Sequence, residues 1–275
     1  MRICLVTDME GLAGVNDWEQ CYASDDRSPA YLHGLAQLAA DTNAAVAGCF
    51  DAGATEVIVW DGHGRNRQLA FTRVALDPRA VCRKIEVGYP LRFAGLDETV
   101  AGVVMVGQHA MAGTLNGFLD HTQIPKELCR FRINGDEHGE LSQFALHAGA
   151  FGVPLLHVSG DESLCLEVRR LFPWVVTTAT KRGTGWATCE LYPVDRVRTN
   201  LRRDLAKAIA NRASAQLWQL PMPAEVSVEF AWSEHADRLG AIPGVRRTHA
   251  RAIAWKIADP RYIYSWPSAD WHPPA

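Results

Sequence analysis

The chain lacks any long hydrophobic run. Its opening, MRICLVTDMEG, holds one arginine and only four uninterrupted apolar or cysteine residues before Thr7. That is too short for the apolar core of a signal peptide, and no later stretch has the length that crosses a bilayer. Paired thiols are missing too. The seven cysteines, at 4, 21, 49, 82, 129, 165 and 189, are odd in number and widely spaced. This argues against a disulfide framework and for a reduced, cytoplasmic chain with buried thiols. Neither sign of charge dominates: 28 Lys and Arg stand against 31 Asp and Glu, for a formal charge of -3. The basic groups Arg65 and Arg67, Arg79 with Arg83 and Lys84, and Arg246 with Arg247 are short. No long basic stripe with stacking aromatics joins them, which speaks against nucleic acid as a partner. The glycines form no phosphate-loop or dinucleotide fingerprint, and there are no evident repeats.

What is present is core. A chain of 275 residues with 48% hydrophobic content can build one full domain, or a main domain with a smaller appendage. Apolar or β-branched runs at Arg2 to Thr7, Thr55 to Trp60, Gly102 to Val106 and Val153 to Asp161 each end in polar residues. An extended piece near Ala80 to Glu86 and a run from Trp174 to Ala179 read as further strands. Between them, helical spacing runs from Ala30 to Asp51, with Pro29 at a first helical position and Gly53 as a stop. Further helices are expected over Gly139 to Ala148, Leu164 to Phe172 and Val194 to Leu217, and a lid-like loop over the polar stretch through Ser28. Arg130 to Ile133 reads as a strand entering an Asn134-Gly135 turn. This alternation predicts an α/β fold with a mostly parallel sheet flanked by helices. Glu225 to Trp232 and Ala250 to Ile257 alternate polar and apolar residues, as half-buried antiparallel strands do. The expected organisation is therefore an α/β domain over 1–220 and a smaller C-terminal subdomain or antiparallel extension over 221–275.

In open parallel sheets, ligands bind beyond the carboxyl ends of the strands. Three predicted strands end in Asp8 and Glu10, in Asp61 and His63, and in His109. Residues two apart in extended chain face the same side, so Asp8 and Glu10 share a direction. Two such carboxylates resist joint ionisation unless positive charge lies between them, and a divalent cation supplies it. His63 sits in Asp61-Gly62-His63-Gly64, where Asp61 is able to orient the ring. Each fragment also has a plain structural reading. Strand-end acids cap helices, His63 suits a surface turn, and a buried His109 is satisfied by a backbone carbonyl. Glu140, in NGDEHGEL, is placed to interact with a helix end. His138 is a neighbour of that turn. His157 reads as a core histidine with a backbone partner, and Asp161 as a helix cap.

The assembled pattern resembles the bacterial zinc-dependent D-aminopeptidases associated with dipeptide-transport operons. The likeness runs from Met1 to about Glu229 and rests on the TDMEG start, the DGH turn, and the GQHAMAGT, GFLDHT and NG-x-x-x-GE segments in that order. It implies two zinc ions with Asp8 bridging them, Glu10 and His63 on one ion, and His109 and Glu140 on the other. It gives His121, in GFLDHT, the place of the catalytic histidine. It also implies a homodecamer around an internal chamber, with short peptides or amino acid amides as substrates. Two divalent ions against three carboxylates leave a positive surplus, suited to activating water and stabilising a tetrahedral oxyanion. His121 then stabilises the oxyanion or passes a proton to the departing amine. A free N-terminal amine needs a negative recess, for which Asp136 and Glu137 are candidates. Where the family has Asn-Asp-Ser-His, this chain has Trp60-Asp61-Gly62-His63, and the segment after about Ser233 departs more strongly. Two other readings stay open: another dinuclear amidase or phosphoesterase, and a noncatalytic peptide-binding or assembly protein.

Overall fold

A computed structural model describes residues 1–63, 70–85 and 92–267. Gly64, Arg65, Arg67 and Glu86 of the sequence argument lie outside the described residues. In chain order the elements are β1 (Arg2–Thr7), α1 (Glu19–Tyr22), α2 (Pro29–Asp51), β2 (Glu56–Asp61), β3 (Ala80–Arg83), β4 (Val100–Gln108), β5 (Leu128–Ile133), β6 (Asp136–Glu137) and α3 (Glu140–Gly149). They continue with β7 (Leu155–Asp161), α4 (Glu162–Leu171), β8 (Val176–Gly185), β9 (Thr188–Leu191), α5 (Val194–Ala210), β10 (Ala224–Phe230), α6 (Ser233–Leu239), β11 (Arg246–His249) and β12 (Ala252–Ile257).

A seven-stranded sheet runs β3-β2-β1-β4-β7-β8-β9, parallel except where β9 turns back on β8. The chain leaves β1 toward β2 on one side and later returns to β4 on the other. The carboxyl end of β1 is thus the switch point, where the connections diverge and leave a crevice. Alternate side chains of each strand enter opposite layers. Ile3, Leu5, Val57, Val59, Val104 and Val106 pack with Leu35, Leu38 and Val46 of α2 and Leu201 and Leu205 of α5. Cys4, Val6, Ile58, Trp60, Val103 and Met105 face the other way, toward Leu141 and Phe144 of α3. Behind them lies a five-stranded antiparallel sheet, β11-β12-β10-β5-β6, which supplies Phe131, Val226, Val228 and Trp255. That sheet takes β5 and β6 from the middle of the chain. A strand formed before α3, β5, pairs with β10, formed after α5, a long-range match that no local pattern announces.

Local signals were obeyed at most boundaries. Ser28 caps α2 by accepting the Tyr31 N–H at 3.2 Å, with Pro29 in the first turn. Asn134 and Gly135 both adopt positive φ, 53° and 93°, in the β5–β6 hairpin. Three expectations are corrected. The helix expected to reach Leu217 stops at Ala210, and Arg212–Ser214 forms a 3-10 turn. The strand expected to end near Ala179 runs to Gly185. The stretch after β1 begins as no lid at all: Leu12, Ala13 and Val15 have no exposed surface. The cysteines are all free, with Cys4, Cys21, Cys49 and Cys165 buried but Cys82 and Cys129 exposed. Among the described residues no helix is long and apolar enough to cross a membrane.

Candidate metal centre

Because β2, β1 and β4 are neighbours in register, their ends deliver side chains to one place. Thr7 lies opposite both Asp61 and Val106. The Asp8 N–H then donates to Val106 O at 2.8 Å, and the Gly62 N–H to Thr7 O at 2.9 Å. A Cβ on Gly62 would lie 2.6 Å from that same oxygen, so the close approach that carries His63 inward requires glycine here. His109 follows β4, Glu140 opens α3, and His121 comes from the loop between β4 and β5. All six candidates converge. Asp8, Glu10 and His63 form one group, and His109, His121 and Glu140 another, with the donor atoms of each group within 4.8 Å of one another. All are buried except Glu140, which is partly exposed.

The spacing of donor atoms tests whether zinc fits. His63 Nε2 is 3.4 Å from Glu10 Oε1, and His109 Nε2 is 3.5 Å from Asp8 Oδ2 and 3.4 Å from Glu140 Oε1. Charge-assisted hydrogen bonds are shorter, about 2.7–2.9 Å. Donors about 2.0–2.2 Å from one tetrahedral ion, however, lie about 3.3–3.6 Å apart. Glu10 Oε1 and His109 Nε2 are also buried without hydrogen-bond partners, which is costly unless something positive satisfies them. The tautomer suits a ligand. His109 Nδ1 lies 3.0 Å from Ala110 O; a carbonyl only accepts, so Nδ1 carries the proton and Nε2 presents its lone pair to the centre.

Electrostatics repeats the message. Burial, then the neighbouring Glu10 charge, pushes the Asp8 carboxyl well above its ordinary range. Burial would raise Glu10 as well, but the His63 ring beside it carries its carboxyl well below. Glu140 is likewise penalised by burial yet drawn down to about 2 by its contact with His109. His109 is pulled far upward by Glu140 and Asp8 against its own desolvation. The protein alone therefore calls for positive charge at this point, and an imidazolium is the nearest substitute for a cation.

His121 is held differently. Its Nδ1 lies 2.8 Å from Leu119 O, so Nε2 is the free acceptor, 3.3 Å from the Tyr22 hydroxyl and 3.9 Å from Glu140 Oε1. Burial, then the nearby His109, lowers its pKa to about 4. Its ring stacks on His109 at 3.7 Å between centroids. The loop that carries it is strained: Asn116, Leu119, Gln123 and Lys126 all have positive φ, between 53° and 66°. Such geometry costs about 1–3 kcal/mol per residue and persists only where surroundings enforce it. Here they do. Asp120 accepts from Gly113 N and Thr114 N, Trp186 O accepts from Leu119 N, and Glu140 Oε1 accepts the Gln123 N–H at 2.7 Å.

Several residues escaped the sequence argument. Lys181, without exposed surface, donates from Nζ to Glu10 O at 2.5 Å and Val15 O at 2.6 Å. Asp41 accepts the Ala13 N–H at 2.8 Å, and the Thr180 hydroxyl donates to Gly11 O at 2.7 Å. These contacts pin the loop behind Asp8 and Glu10. The position of Lys181 near the end of a parallel strand was a usable signal; Tyr22 offered none. Tyr22 stacks on Trp18 at 4.0 Å, and Trp186 lies 5.5 Å from Trp18, so an aromatic wall stands beside His63 and His121.

Other expectations resolve singly. Asp61 accepts the backbone N–H of His63 at 3.3 Å, which fixes the turn. Glu137 pairs with Arg130 and Arg132 at 3.0 and 3.1 Å on the exposed hairpin, where Asp136 is also exposed, so neither lines an amine recess. His138 packs edge-on to Trp218. His157 meets the Thr178 hydroxyl at 2.9 Å, a side-chain partner where a backbone one was expected. Asp161 caps α4, accepting the Leu164 N–H at 2.8 Å.

Fold and site together define an α/β protein with a buried, paired carboxylate–imidazole centre of the metal-binding kind. The sequence profile of the D-aminopeptidase peptidase family matches residues 1–269. The chain belongs to that family. A D-aminopeptidase of Bacillus subtilis (strain 168) is 30% identical over 260 residues, 94% of this chain and 92% of that protein. A solved structure, described as the Zn-dependent D-aminopeptidase DppA from Bacillus subtilis, a self-compartmentalizing protease, superposes with a TM-score of 0.87 at 28% identity. The match covers 96% of this chain and 94% of that one.

Proposed function

We propose that the protein is a zinc-dependent aminopeptidase that removes D-configured N-terminal residues from short peptides or amino acid amides at a dinuclear centre. In this reading Asp8 is shared, Glu10 and His63 complete one site, and His109 and Glu140 complete the other. The observation that carries it is the set of 3.4–3.5 Å separations between imidazole nitrogens and carboxylate oxygens, the spacing of donors around a common ion rather than of hydrogen-bonded pairs. Zinc bound there supplies Lewis acidity toward the scissile carbonyl and lowers the pKa of water to about 7.

The chain's own groups do the rest. His121, its Nδ1 proton committed to Leu119 O, offers Nε2 to accept a proton and return it to the departing amine. The Tyr22 hydroxyl, 3.3 Å away, orients that nitrogen. The half-buried wall of Tyr22 and Trp18 limits water beside it. The self-compartmentalizing character of the structural relative supports assembly of this chain into a closed homo-oligomer; the decamer rests on the family resemblance, and the cytoplasmic location on the unpaired, widely spaced cysteines. The exposed Leu115 and Trp232 are available as subunit contacts.

A substrate panel tests the reading: D- and L-amino acid amides, short dipeptides and phosphate esters, with chelation and zinc add-back. D-amides and D-peptides are expected to turn over, to stop with chelator and to resume with zinc. Turnover of phosphate esters alone would make the protein a phosphoesterase, and peptide binding without hydrolysis after zinc saturation would make it a binding protein.

A further inference from the structure

A cavity of about 120 Å³ adjoins the centre, lined by Asp8, Gln108 and Glu140 together with Arg92, Phe93 and Tyr264. A single water needs about 10–15 Å³ of such space, so the cavity has room for a carboxylate-sized group. Arg92 is its cation. The guanidinium carbon lies 4.7 Å from the Tyr264 ring centroid and 6.0 Å from that of Phe93, and its Nε is buried without a hydrogen-bond partner. Gln108 is 4% exposed, and its Nε2 is buried without a partner as well. Two unsatisfied donors around one small cavity ask for an acceptor with at least two oxygens, and the guanidinium asks that it be negative. The acids in the lining are those assigned to zinc, so with the centre loaded they no longer repel an anion.

The position is built by the fold. The Trp60 indole at the end of β2 donates to Ala94 O at 3.1 Å and packs edge-on against Phe93 at 5.2 Å, which holds the segment carrying Arg92. Tyr264 comes from the C-terminal segment, lies 5.8 Å from the Phe93 ring centroid to centroid, and packs beside it against the guanidinium.

We propose that Arg92, assisted by Gln108, is a specificity-determining residue that receives the free α-carboxylate of the leaving residue, one residue beyond the scissile bond. The inference rests on the aminopeptidase reading above for its substrate direction. It makes the enzyme discriminate a peptide ending in a free acid from the same peptide ending in an amide.

The test compares a D-alanyl dipeptide acid with its C-terminal amide on zinc-loaded wild type, Arg92→Met and Arg92→Lys. Wild type should favour the acid in kcat/KM. Arg92→Met should shrink that preference about 10- to 100-fold, the range of a charge-assisted contact, and Arg92→Lys should restore part of it. Equal losses on acid and amide would overturn the proposal by making Arg92 merely structural, as would a wild type with no preference. Calorimetry with N-acetyl-D-alanine and N-acetyl-D-alaninamide supplies a readout that needs no turnover. Tighter binding of the acid by wild type, abolished in Arg92→Met, supports the subsite even if no peptide is hydrolysed, a result that would sink only the aminopeptidase reading. An acid margin that survives in Arg92→Met belongs to zinc and overturns the subsite.

Discussion

The two halves of the centre are built by different means. Asp8, Glu10 and His63 stand on the ends of adjacent parallel strands, and the loop behind the two acids is pinned by Lys181, Asp41 and Thr180. His121 and Glu140 come from a loop and a helix start, and the loop has four non-glycine residues at positive φ. The first half takes its position from sheet register, a regular feature with little strain. The second is enforced by hydrogen bonds that the loop N–H groups donate to Asp120, Trp186 and Glu140 against the loop's own preference. Rigid strand ends and an enforced loop suit different tasks, which matches the proposal that the strand ends hold the cation and the loop aims one imidazole nitrogen.

That contrast breaks first at His121. If the loop exists to aim a proton-transferring group, His121→Ala should keep its zinc content while turnover falls about 10²- to 10⁴-fold. Metal analysis alongside kinetics decides the matter, because a fall in zinc stoichiometry would move His121 among the ligands. A smaller effect is expected on the strand-end half. Lys181→Met keeps a chain of similar length but removes the donor to the Glu10 and Val15 carbonyls, at about 1–3 kcal/mol of stability for each group left unsatisfied. Zinc affinity, read by competition with a chelator, should drop about 10- to 100-fold with the fold retained. Unchanged affinity would show that the loop keeps its shape without the lysine.

The smallest effect concerns strain itself. Asn116 is exposed with φ of 58°, so Asn116→Gly should stabilise the protein by about 0.5–1 kcal/mol, or about 1–4 °C in Tm. Thermal denaturation of the zinc-loaded protein reads this directly. A loss of stability would mean that the loop conformation is locally favourable and that the comparison between the halves is overdrawn.

Legibility in the sequence followed the same division. Apolar runs ending in Asp8, His63 and His109 exposed the candidate strand-end ligands, because a buried parallel strand must stop where its polar residues begin. The Ser28-Pro29 start of α2 and the Asn134-Gly135 turn were readable for equally local reasons. His121 was found only through resemblance, since nothing in GFLDHT itself signals a strained loop folded back on His109. Lys181 lay in a strand whose length was underestimated, and Arg92 belonged to no pattern at all. The pairing of Glu137 with Arg130 and Arg132 has no local mark, because its arginine partners sit across a hairpin.

The sequence by itself determined the α/β class, the order of the main strands and helices, and the residue types able to hold a cation, because these depend on periodicity, capping and turn chemistry over a few residues. Tertiary structure alone decided that β5 joins the C-terminal strands, that Lys181 reaches the Glu10 carbonyl and that Arg92 shares a cavity with Glu140. Those outcomes depend on contacts between segments far apart in the chain, whose free energy arises only when burial forces unsatisfied polar and charged groups to find one another.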